Sequence, residues 1–158
     1  MQNKQIVLDY SEYDSMEELP IEAQELMEKA IAATDTAYAP YSGFHVGAAA
    51  RLADGTIVTG SNQENLAYPS GLCAERTALF SASATHPDVA VAALAVVGRT
   101  SEGGLTEASP CGACRQVFAE YERRYGRCID YFFYLEGGRI RRIKGTEKLI
   151  PFTFKAKI

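Results

Sequence analysis

Three of the four cysteines in this chain sit where a thiolate is easiest to make. Cys73, Cys111 and Cys114 each fall at the predicted start of a helix, where free N–H groups and partial positive charge lower a thiol's pKa and favour its metal-binding form. Cys111-Gly112-Ala113-Cys114 has the two-residue gap common in zinc sites, and Cys73 would add the third ligand from another helix. Three protein ligands leave one position open, as catalytic zinc sites do, whereas a structural site normally recruits a fourth. Glu75, two residues after Cys73, brings a carboxylate from the same helix start towards that open position, where a general base fits. Three thiolates overbalance a zinc dication, which would weaken it as a Lewis acid, and Arg76 can offset this by donating hydrogen bonds to the sulfurs. Alone, Glu75 would read as a first-turn acid complementing the helix dipole and Arg76 as a solvated charge; beside three cysteines they read as site residues.

The spare candidate ligands have plainer readings. Cys128 precedes an apolar strand and reads as a small core residue. His45, next to core-facing Phe44, and His86, in a helix-ending loop, lack ligand-like spacing to the cysteines.

The elements that must position these groups follow from periodicity. Ser15 and Glu18 resemble a capping box, and Ala23, Met27, Ala30, Ile31, Thr34 and Ala37 recur at helical spacing, predicting a helix over Pro20–Tyr38. Phe44 to Leu52 alternates, and Asp54-Gly55 predicts a two-residue hairpin turn into a second strand, Thr56–Thr59. Cys73–Ala84 predicts a helix stopped by His86-Pro87. Val89–Gly98 reads as a strand covered on both faces at the sheet centre. Ser109 and Pro110 are the expected N-cap and first residue of the next helix, with Cys114, Val117, Phe118, Tyr121 and Tyr125 on one face. Ile129–Leu135 and Arg139–Lys144 are joined too tightly for a parallel crossover, so the last two strands should pair antiparallel. The fold class is α/β: three α/β/α layers around a mixed five-stranded sheet.

Composition bounds the rest. The 158 residues suit one domain, expected over 20–158 after an N-terminal extension of residues 1–19. The apolar share of 47% and charged share of 23% exclude a disordered chain. The longest apolar run, Val89–Val97, is far short of a membrane helix, and an acidic N-terminus is unlike a signal peptide, so a cytoplasmic protein is expected. Net charge is −4, yet residues 1–37 carry nine acidic against two basic side chains, and residues 123–158 ten basic against three acidic. A basic tail can bind nucleic acid, but the two ends can equally neutralise each other, and no RNA-binding motif accompanies the tail.

His-x-Glu followed by Pro-Cys-x-x-Cys is the known signature of zinc deaminases, the glutamate not being a ligand. Cys73-Ala74-Glu75 and Pro110-Cys111-Gly112-Ala113-Cys114 match it with cysteine in place of histidine. With Pro40–Ala49, Asn62–Leu79, Ser109–Val117 and Leu149–Phe154, the chain closely resembles the small, homotetrameric, zinc-dependent cytidine deaminases of pyrimidine salvage. The resemblance implies one zinc per chain and hydrolytic deamination of cytidine and 2′-deoxycytidine. Glu75 would take a proton from zinc-bound water, pass it to the ring nitrogen and later protonate the departing amine, while zinc hydroxide attacks the amine-bearing carbon. It further implies that Asn62 and Glu64 hold the ribose 3′-hydroxyl, that Phe44 packs against the nucleoside and that the backbone at Ala74 contacts the base. Phe154 would stack on the base in a neighbouring subunit's site, and Tyr68 matches an intersubunit tyrosine. Leu66 stands where family members usually have a smaller residue near the ribose. The alternatives are deamination of another aminopyrimidine nucleoside such as blasticidin S, a nucleic-acid-editing or nucleic-acid-binding zinc protein, and a structural zinc module. The expected partners are a small nucleoside and other copies of the chain, with no nucleic acid and no membrane.

Overall fold

The computed structural model describes residues 1–154; residues 155–158, the end of the expected domain, lie outside the described residues. Seven strands form one sheet: β1 (Ser11–Tyr13), β2 (His45–Leu52), β3 (Ile57–Ser61), β4 (Val91–Arg99), β5 (Leu105–Thr106), β6 (Asp130–Tyr134) and β7 (Ile140–Lys144). The order is β1-β7-β6-β4-β2-β3, with β5 on the end of β4. Only β4 and β6 pair in parallel, and β6–β7 is antiparallel as the short link demands. The five expected strands are present; β1 and β5, at three and two residues, are too short for alternation to reveal and raise the count to seven.

Helix α1 (Ile21–Ala33) covers one face, and α2 (Ala74–Thr85) with α3 (Gly112–Tyr125) covers the other. Strand alternation sorts the core accordingly. Ala49, Ala95, Val97 and Phe132 meet Leu26, Met27 and Ala30 of α1, while Ala48, Ala50, Leu94, Val96, Tyr131 and Phe133 meet Ala78, Leu79, Cys114 and Phe118. The three α/β/α layers are those expected.

Several boundaries move for local reasons. Helix α1 gives way to a 3₁₀ turn at Thr34, short of Tyr38, because the Thr34 and Thr36 hydroxyls donate to the carbonyls of Ile31 and Ala33. Helix α3 starts at Gly112 with Cys111 as N-cap, not at Ser109-Pro110: Cys111 is still extended, and its carbonyl accepts the first helical bond from Arg115 N–H. Ser15 caps nothing; Glu18 instead accepts the Asp14 N–H at 2.9 Å across a single 3₁₀ turn. The β2–β3 connection is longer than two residues, Leu52 N–H bonding Thr56 C=O around a Gly55 of positive φ.

The opposite charges of the two chain ends meet. β1 pairs with β7, Glu12 takes Arg139 and Arg141 at 3.1 and 2.8 Å, and Asp9 takes Lys148 at 2.8 Å. Leu19 is buried under α1 with the partly buried Tyr13 and Met16 beside it. Cys128, expected in the core, is exposed, since it lies in the polar link before β6 while Ile129 takes the buried position.

One glycine sets the site's position. A Cβ on Gly60 of β3 would run into the Ala78 amide and stand 2.7 Å from the Ala74 carbonyl, so only a bare backbone lets the first turn of α2 lie this close to the sheet. Gly60→Ala is expected to cost about 1–3 kcal/mol of stability through overpacking against rigid backbone, read as a lowered denaturant midpoint at unchanged slope.

Candidate active site

The site is built where α2 and α3 both point their N-termini past the ends of β2 and β4. Cys73 is the N-cap of α2 and Cys111 the N-cap of α3, both in extended backbone, and neither thiol makes a capping bond to its helix. Cys114, one turn into α3, is fully buried. The three sulfurs lie within 4.8 Å of one another, with Cys111 and Cys114 Sγ 3.6 Å apart. Tetrahedral ligands about 2.3 Å from a zinc ion stand roughly 3.8 Å from each other, so this donor set fits zinc in spacing and in chemistry. Cys128 and both histidines stay out of the group.

Electrostatics favour a thiolate. The Cys73 thiol is pulled down to about 5, chiefly by the hydrogen bond it receives from Cys114 and further by Arg76, against the burial that raises it. Cys114 is pushed up because it donates that bond and is buried. Arg76 Nη2 stands 3.4 Å from Cys73 Sγ, as required to offset excess thiolate charge.

Glu75 is 4% exposed, and burial pushes its carboxyl up. It opens, with Cys73, Ala74 and Cys111, onto a cavity of about 360 Å³ whose other walls include Phe44, Val46, Asn62, Glu64, Val96 and Glu107. The Phe44 ring lies over Gly98 of β4, where an added Cβ would be 2.7 Å from Cζ, so the missing side chain seats the ring. The amide of Asn62 spans the start of β2: Oδ1 accepts Val46 N–H at 2.7 Å and Nδ2 donates to Phe44 C=O at 2.9 Å. The Glu64 carboxylate gathers the Ser42 hydroxyl and the Tyr41 and Ser42 N–H groups, the hydroxyl first in holding it below the usual carboxylate range. Both residues thus pin the loop that carries Phe44.

Comparison with known proteins accords with this geometry. The family model described as the cytidine and deoxycytidylate deaminase zinc-binding region matches residues 20–127. The chain belongs to this deaminase family. It is 48% identical over 101 residues to the cytidine deaminase of Halalkalibacterium halodurans, covering 63% of this chain and 72% of that protein. A probable cytidine deaminase of Dictyostelium discoideum is 37% identical over 135 residues, 83% of this chain and 85% of that one. Among solved structures, the cytidine deaminase of Burkholderia pseudomallei superposes with a TM-score of 0.71 at 40% identity, over 86% of this chain and 100% of that one.

Two of the residues singled out from sequence lie elsewhere in this deaminase-family chain. Tyr68, 76% exposed, borders an adjoining groove with Tyr41, Leu72 and Arg76. Phe154, 78% exposed, lies beside Gln116 and Cys128 behind α3. Leu66 is also exposed on the loop before Tyr68. Conversely, Ser42, Glu107 and Ser109 line the cavity without having been singled out. Ser42 and Ser109 fall within Pro40–Ala49 and Ser109–Val117, whereas the stretch before Glu107 has no apolar periodicity to read.

Proposed function

We propose that the chain hydrolyses cytidine and 2′-deoxycytidine to the uridine products and ammonia. The observation that carries this reading is Glu75, a buried carboxyl with a raised pKa, sharing one cavity with Cys73 and Cys111. Cys73, Cys111 and Cys114 would hold zinc, one ion per chain. Bound there, zinc supplies a Lewis acid that makes water a nucleophile near neutral pH. Glu75 takes a proton from the attacking water and delivers it to the ring nitrogen, then takes a second proton from the newly added hydroxyl, which becomes the product carbonyl, and gives it to the departing amine. Burial, which raises its pKa, suits it to holding a proton in transit. Arg76 steadies the Cys73 sulfur. Phe44 packs against the nucleoside, Asn62 and Glu64 face the ribose 3′-hydroxyl, and the Ala74 backbone contacts the base; their place on the same cavity supports these roles. Glu64, Glu75 and Glu107 line the cavity, and Arg76 in the adjoining groove is engaged with the Cys73 sulfur, so the cavity suits an uncharged nucleoside over a nucleotide or nucleic acid. Steady-state assays on cytidine, deoxycytidine, cytosine, dCMP, blasticidin S and single-stranded oligonucleotides should show turnover confined to the two nucleosides; preference for any other substrate overturns the reading.

Tyr68 and Phe154 complete the site from neighbouring copies, in a homotetramer serving cytoplasmic pyrimidine salvage. The exposure of both side chains and the place of Phe154 behind α3 support this, and Cys128, the cysteine outside the metal group, is free, as suits a reducing compartment. A chain lacking residues 152–158 and a Glu75→Gln chain, each inactive alone, should recover part of the activity when co-expressed and co-assembled. Activity no greater than the sum of the parents, in verified mixed oligomers, counts against shared sites.

A further inference from the structure

Arg115 puts a cation in the first turn of α3. The first turns of α1 and α2 hold Glu22 and Glu75, and the first turn of α3 holds no acidic residue. A guanidinium at a helix N-terminus opposes the macrodipole, so its bonds must offset that cost. Arg115 Nε donates to the Pro110 carbonyl at 2.9 Å and Nη1 to the Leu149 carbonyl at 2.8 Å. Its own backbone N–H donates to the Cys111 carbonyl at 3.0 Å. One half-buried residue therefore bonds the carbonyls of the consecutive residues Pro110 and Cys111 and, 34 residues on, that of the buried Leu149 at the root of the C-terminal tail.

We infer that Arg115 is a positioning residue, locking the Cys111 loop to Leu149 so that the metal loop and the tail bearing Phe154 keep one fixed relation. This rests on the proposed roles of Cys111 and of the tail. A rigid planar fork can donate in two fixed directions at once; an ammonium on a flexible stem cannot hold the same pair of carbonyls. Partners of metal ligands typically alter metal affinity or activity 10–100-fold when removed.

The test compares the wild-type holoenzyme with Arg115→Gln and Arg115→Lys in three measurements. Zinc transfer to a chromogenic chelator should be at least tenfold faster in both variants. KM for cytidine should rise several-fold more than kcat falls, because the tail and not Glu75 is loosened. Amide hydrogen exchange over residues 149–154 should accelerate, while exchange in β4 and β6 stays as in wild type. Should Arg115→Gln fail to fold, Arg115→Lys, which keeps charge and stem, carries the comparison. Wild-type behaviour of Arg115→Lys in all three overturns the inference, as does faster exchange spread evenly over the chain. The exchange measurement needs neither zinc nor turnover, so a chain that proves not to deaminate cytidine still reports on Arg115, and the two failures remain distinct.

Discussion

Glu75→Gln should retain zinc and fold and lose turnover by a factor of about 10²–10⁴ or more, the range for a single general acid–base group, here serving several proton transfers. Glutamine keeps the volume and polar end of the side chain but can neither take nor give the proton. The buried position of Glu75 makes this substitution unusually clean. The residue is 4% exposed and burial already favours its neutral form, so the fold should tolerate a neutral amide. Zinc content by elemental analysis, the thermal unfolding midpoint and kcat on cytidine together check it. Near-normal kcat would remove the proton shuttle from the mechanism.

Cys111→Ala should lose most of the zinc and with it essentially all turnover, while Cys128→Ala keeps both. The two cysteines are both exposed, so the contrast isolates position from accessibility. Cys111 Sγ lies within 4.8 Å of the sulfurs of Cys73 and Cys114, and Cys128 belongs to no such group among the described residues. Two remaining thiolates would leave a site short of the donors that hold zinc in proteins. Zinc per chain after gel filtration, alongside activity, decides it. The reverse pattern, with Cys128→Ala losing both, would reassign the ligand.

The site's chemistry was legible because it is local. Cys73 with Glu75, and Cys111 with Cys114, sit at fixed offsets on helix starts, and the three-layer order followed from apolar periodicity in long elements. Where sequence reading missed, long-range contact decided. Nothing local distinguishes Glu107, which lines the cavity only because β5 folds back on β4, nor Arg115, whose second partner is Leu149. The start of α3 moved two residues because Cys111, and not the better capping type Ser109, is the last extended residue before the helix. Cys128 was misplaced because its hydrophobic type was weighed and its position outside the β6 ladder could not be.

The pairing of β1 with β7 governs where the chain can be shortened. Strand β7 would otherwise be the outermost strand on its side, offering a five-residue row of open N–H and C=O groups, an invitation to edge-to-edge association. Strand β1 replaces it with an edge of only three residues, centred on the acidic Glu12 and flanked by Asp9 and Asp14. Short, charged edges are how sheet proteins discourage self-templating. A recombinant version trimmed to begin at Pro20 would therefore keep the residues of its catalytic cavity but lose the buried Leu19 and leave β7 as a longer open edge whose Arg139 and Arg141 have lost Glu12, with solubility and stability falling before chemistry does.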